Sequence, residues 1–160
     1  MNQKVPIHQF LYSTVRIEGK ISNGMSVGTG FIFEHIYNNM KFNFLVTNRH
    51  VVEKIGEGNF FFTEANEAGE PIVGKKLNVD TDFTKVWYFH PKGEDIAVAP
   101  ITPLIYQIQN VIRKNVFFRP ISSGLIPTKD QEEKLTALED IVFIGYPNAI
   151  YDIKNLLPII

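Results

Sequence analysis

The chain reads as an all-β protein, and three observations say so. Short apolar runs recur between Gly, Asn, Asp and Pro punctuation. Aromatic residues are abundant, with 13 Phe and 6 Tyr among 160 residues, and these suit half-buried pleated surfaces. About seven strand signals fall before residue 100, a density that favours a closed barrel or a sandwich over alternating βα units.

Phe10 to Glu18 forms the first strand signal, followed by a polar turn over Lys20 to Gly24. Val27 to Glu34 is the second, and Asn38-Asn39 turns the chain into a third over Lys41 to Thr47. Val51 to Ile55 reads as a single helical turn. Asn59 to Glu64, Pro71 to Val79, Thr84 to Phe89 and Asp95 to Ala99 continue the meander. One segment has helical spacing: Leu104, Ile105, Ile108, Val111 and Ile112, with Thr102 expected as N-cap and Pro103 at the first helical position. Arg119 to Lys134 holds two prolines and a charged run and reads as a connector. Ala137 to Tyr146 is again a strong strand signal, and Ile153 to Ile160 a last apolar stretch.

Composition narrows the function classes. Apolar residues at 44% and charged residues at 21% describe a chain that can build a core. A net charge of −1 and the lack of any basic run give no long-range attraction to nucleic acid. Cysteine is absent, which removes disulfides, thiolate metal sites and a cysteine nucleophile together. No apolar run approaches the ~18 residues that span a bilayer, so no membrane partner is expected. Met1 to Phe10 shows no basic region followed by an apolar core, so no signal peptide is visible and the expected setting is cytoplasmic.

Two motifs point to chemistry. The apolar strand Phe44-Leu-Val-Thr-Asn-Arg-His50 delivers a histidine at its end, and Asp95-Ile-Ala-Val98 opens a second apolar strand with an aspartate. Presented together, they are two of the three members of a Ser-His-Asp site, where the carboxylate orients the imidazole that takes the serine proton. Upstream, Gly28-Thr-Gly-Phe31 places small residues where backbones approach closely.

These motifs, in this order and 45 positions apart, resemble those of trypsin-like (chymotrypsin-fold) serine peptidases of the disulfide-free bacterial type. Val46 to Val52 is similar to the family's histidine motif, Asp95 to Val98 to its aspartate strand, and Gly28 to Phe33 to the strand preceding the histidine. Trp87 to Pro91 fits the same region. The resemblance implies a double barrel. Residues 8–118 are then a first antiparallel barrel of six to seven strands, 119–135 a connector, and 136–160 the opening strands of a second, incomplete barrel. It also implies peptide-bond hydrolysis of a polypeptide substrate, with His50 as general base and Asp95 as its orienting partner, and no cofactor or metal.

The family's third member is not matched. Of the five serines, Ser26 lies in Gly24-Met-Ser26-Val-Gly28, a G-x-S-x-G pattern. A nucleophile elbow needs a strand before that serine and a helix after it, whereas here a turn precedes and a strand follows, so Ser26 reads as a hairpin residue. Ser122-Ser123-Gly124 has no glycine two places before either serine and does not resemble a Gly-Asp-Ser-Gly nucleophile loop. The resemblance implies that the nucleophile, oxyanion donors and specificity pocket would lie in sequence beyond Ile160. The competing reading is a non-catalytic peptidase-like module that binds a peptide by strand addition. His8, His35 and His90 show no close metal-ligand spacing with His50. Ile141 to Ile144 and Leu156 to Ile160 are apolar strand-formers without encoded neighbours. They are expected to pack on a second copy, giving a homodimer, or less readily to fold back along the first barrel.

Overall fold

The computed structural model of the protein describes residues 7–136 and 141–160. A short helix, α1 (Ile7–Phe10), leads into an antiparallel meander of β1 (Thr14–Ile21), β2 (Gly24–Tyr37) and β3 (Met40–Thr47). The first turn uses Gly24 at φ 135°, and the second uses Asn38 and Asn39 in the left-handed region that asparagine tolerates. A four-residue helix, α2 (Arg49–Val52), follows β3, and then the long hairpin of β4 (Glu57–Ala65) and β5 (Pro71–Asp82).

Thr84 to Phe89, expected as one strand, is instead a helical turn, α3 (Phe83–Val86), and a two-residue strand, β6 (Tyr88–Phe89). Asp82 is the reason. Its carboxylate accepts from the Thr84 N–H at 3.1 Å and from the Thr84 hydroxyl at 2.6 Å, offering the backbone a turn in place of a ladder. The turn swings Phe83 inward, where its ring stacks on Phe60 with centroids 4.9 Å apart. β7 (Ala97–Pro100) then pairs with both β3 and β6.

After β7 comes the expected helix, split into α4 (Thr102–Gln107) and a π-helical turn over Ile108–Ile112. Its cap lies one residue earlier than expected. Ile101 is buried, its N–H still donates to the Asn43 carbonyl, and it therefore occupies the N-cap, leaving Thr102 as the first helical residue. Pro103 keeps its place in the first turn, where its missing N–H costs nothing.

The chain is thus mostly antiparallel sheet, in the order β5-β4-β1-β2-β3-β7-β6. β8 (Asn115–Phe117) pairs with the end of β4, and β9 (Ile121–Ser122) pairs with β2 in parallel. The expected barrel closure is not formed: the described pairings make an open path with β5 and β6 at its ends. Those two strands are consecutive in the chain, but α3 connects them and β6 has only two residues to offer. No helix among the described residues is long and apolar enough to cross a membrane.

One face of the sheet carries the core, including Val15, Ile17, Ile32, Leu45, Phe60, Phe62 and Val79, closed by Val52 of α2, Phe83 of α3 and Ile108. The inward positions alternate along β1 and β4, as a sheet with one buried face requires.

The expected connector carries β9, a 3-10 turn (Ser123–Leu125) and α5 (Lys129–Glu132), so part of it is paired to the main sheet. The strand expected from Ala137 to Tyr146 falls partly on residues 137–140, which lie outside the described residues. Over Ile141 to Ile144 no strand forms; Ile141 and Phe143 are more than 70% exposed, at 74% and 78%. Only isolated bridges occur, Gly145 with Ile159 and Asp152 with Leu157. A strand needs a neighbouring ladder, and among the described residues nothing pairs with Ile141 to Ile144, although Val142 and Ile144 line a cavity with Thr14, Phe31 and Ile121. The segment instead folds back at Tyr146, which is buried, with its N–H donating to the Thr29 hydroxyl of β2 at 2.8 Å.

Candidate active site

His50 and Asp95 meet through the pairing of β3 with β7. Antiparallel register sets Thr47 opposite Ala97, and continuing it by two residues places Asp95 beside the first turn of α2. Asp95 sits in the loop just before β7 rather than in the strand itself. A tight turn at Gly93 (φ 81°), closed by its N–H to the His90 carbonyl, brings the loop round. Glu94 is exposed and takes no part in the contact.

The carboxylate of Asp95 is held by three donors. The backbone N–H of His50 donates to Oδ1 at 2.9 Å, the His50 ring meets Oδ2 through Nδ1 at 2.6 Å, and the Asn48 amide donates to Oδ2 at 3.2 Å. Asn48 also donates to the Asp95 carbonyl at 3.1 Å, so it grips both ends of the residue. The backbone N–H of His50 and then its ring hold the Asp95 carboxyl below the usual carboxylate range. An ionised carboxylate can only accept, so Nδ1 carries a proton, and in the neutral imidazole Nε2 would keep its lone pair. The pair faces solvent, with side-chain exposures of 68% for His50 and 51% for Asp95.

Sequence reasoning anticipated these two residues and missed those that seat them. Asn48 is the N-cap of α2 yet makes no capping bond, because its amide is committed to Asp95. The visible signal was an asparagine immediately before a helical turn, which ordinarily reads as a cap. Val51 packs directly on Gly28, where an added Cβ would lie 2.5 Å from Val51 Cγ1. Gly30 is filled in the same way by Leu45 and Ile17. The glycine strand is therefore the floor on which the histidine helix rests. Arg49 braces the other side, its guanidinium 5.1 Å from the Phe89 ring and its Nε 2.9 Å from Glu53.

No serine among the described residues is hydrogen-bonded to the His50 ring. Ser26 lies within β2, and its hydroxyl donates to the Val51 carbonyl at 2.7 Å, so it anchors α2 from below. Ser13 donates to the Phe10 carbonyl, and Ser122 accepts from the Gly124 N–H. His35 is exposed on β2 and His90 is half-buried beside β6. No group of three metal-ligating side chains occurs among the described residues.

Chemically, an imidazole fixed through Nδ1 with Nε2 facing solvent could act as a general base toward a hydroxyl brought within about 3 Å. No protein-family model, no curated protein and no solved structure matches the chain.

Proposed function

We propose that these residues form the histidine- and aspartate-bearing part of a trypsin-like serine endopeptidase. The observation that carries the reading is the double contact of Asp95 with His50, through ring Nδ1 and backbone N–H. That contact sets both tautomer and orientation, leaving Nε2 to take a serine proton and return it to the leaving amine. The two ends of the strand path, β5 and β6, are consecutive in the chain and joined by α3, a connectivity consistent with a sheet derived from the first barrel of such an enzyme. The serine and oxyanion donors would come from sequence beyond Ile160, acting on a polypeptide substrate in a cytoplasmic setting.

A second reading, a non-catalytic module that binds peptide at a sheet edge, draws on the open path of strands and the two-residue edge strand β6. Association through the exposed Ile141, Val142 and Phe143 would give a homodimer, which light scattering on the chain and on a version ending at Leu135 would register.

The test uses a fluorophosphonate probe on the 160 residues alone and on the chain with its following sequence. The short chain should not label. The longer one should label at a serine beyond Ile160, lose labelling in His50→Ala, and lose roughly 10⁴-fold in turnover in Asp95→Asn. Labelling unaffected by His50→Ala would overturn the assignment. Peptide binding without labelling in the longer chain would select the module.

A further inference from the structure

A second cluster of polar side chains lies on the outer face of the sheet, away from the core. Arg16 of β1, Phe61 of β4 and Asn78 of β5 stand in one cross-strand row, and Lys76 stands in the next, opposite Thr63. The C-terminal segment lies over this face, and its Tyr146 and Leu156 help to line a partly open cavity of about 170 Å³. A cavity of about 150 Å³ holds a benzene molecule, so this one has room for a small ion and little more.

The groups around it are cationic donors short of acceptors. Arg16 is clamped between aromatic rings, its guanidinium 4.1 Å from the Phe61 centroid and 4.6 Å from that of Tyr151. Its Nε is buried and makes no directed hydrogen bond; Glu18 lies 3.1 Å away as an ion pair off that axis. Lys76 donates to the Thr63 hydroxyl at 2.8 Å, and among the described residues no carboxylate lies within ion-pair distance of it. Burial, with a smaller contribution from Arg16, pulls its ammonium down to about 8. The Tyr146 phenol oxygen is buried, with Thr14 near it but not in hydrogen-bonding geometry.

Burying a cation without a counter-charge is costly, and a core of matched apolar side chains would avoid that cost. Two cations facing one off-axis carboxylate leave the cavity with an uncompensated positive charge. A tetrahedral oxyanion would neutralise it while accepting from the guanidinium and the ammonium.

We propose that the cavity beneath Tyr146 is an anion site, taking a phosphate-sized oxyanion between Arg16 and Lys76 and so pinning the C-terminal segment to the outer face of the sheet. The site is separate from the His50–Asp95 pair, and its test does not depend on any peptidase activity.

Calorimetric titration of the 160-residue chain at pH 7 is the experiment, with inorganic phosphate, inorganic sulfate and phosphoserine as probes against chloride at matched ionic strength. Saturable binding of phosphate and sulfate is expected, weakened roughly tenfold or more in Lys76→Met and in Arg16→Gln. Binding of phosphoserine as well would mark a group carried on a larger molecule, and binding of the inorganic ions alone would mark a free ion. If the wild-type chain takes up phosphate and sulfate no better than chloride, the proposal is overturned without reference to any variant. Equal binding by folded Lys76→Met and Arg16→Gln chains would overturn it too.

Discussion

Replacing Gly28 with alanine should loosen the His50–Asp95 pair from beneath. Gly28 has ordinary extended backbone within β2, so alanine brings no φ strain, and the effect is purely one of space. The new Cβ would lie 2.5 Å from Val51 Cγ1, 3.0 Å from Cγ2 and 3.3 Å from Cβ, against ordinary contacts of 3.4–4 Å. Valine on a helix has one strongly preferred χ1, and with both methyls in the way rotation gives no escape. The Val51 carbonyl is also tied to Ser26 at 2.7 Å. The helix must therefore lift by about 1 Å, at an overpacking cost of about 1–3 kcal/mol. A lift of that size stretches the 2.6 Å contact between His50 and Asp95 beyond hydrogen-bond range. Urea denaturation gives the stability change, and the proton on His50 Nδ1, followed by NMR, reports the contact. Val51→Ala removes both obstructing methyls, so the double variant should recover about 1 kcal/mol relative to the sum of the single changes. A Gly28→Ala chain with wild-type stability and an unshifted Nδ1 proton would refute the reasoning, as would strict additivity with Val51→Ala.

Two further outcomes follow from the same structure. Ser26→Ala should cost about 1 kcal/mol in urea denaturation through loss of its bond to the Val51 carbonyl, and should leave any fluorophosphonate labelling unchanged; abolished labelling would make Ser26 a nucleophile. Stability should rise with pH between about 8 and 10, because folded Lys76 releases its proton near 8 while the unfolded chain holds it to about 10.5. The gain relative to Lys76→Met is at most about 2–3 kcal/mol in chloride buffers. Stability itself falls again above pH 10, in the wild-type and Lys76→Met chains alike, because burial keeps Tyr146 protonated to about 12 while the unfolded phenol ionises. Parallel wild-type and Lys76→Met pH profiles would contradict the gain assigned to Lys76.

What the residues alone determined is local. The strand signals read at Phe10–Glu18 and Asn59–Glu64, which form at Thr14–Ile21 and Glu57–Ala65 with Phe10 instead ending a helical turn, the paired asparagines at 38–39 and the helical spacing after Thr102 each follow from side-chain size, polarity and backbone preference over a few neighbours. His50 and Asp95 were legible for the same reason: each closes or opens an apolar strand, and both contacts between them follow once those strands pair. Tertiary structure decided whatever depends on residues far apart in sequence. Asn48 looks like a cap until Asp95 arrives 47 positions later to claim its amide. Thr84 to Phe89 has strand composition, yet Asp82 and the space over Gly58 make a turn that buries Phe83. Ile141 to Ile144 has strand composition too, but a strand exists only beside a partner, and Tyr146 docks on Thr29 instead. Arg16 and Lys76 reveal nothing as isolated surface cations; only the register of β1, β4 and β5, with a chain end folded over them, brings two positive charges into one cavity.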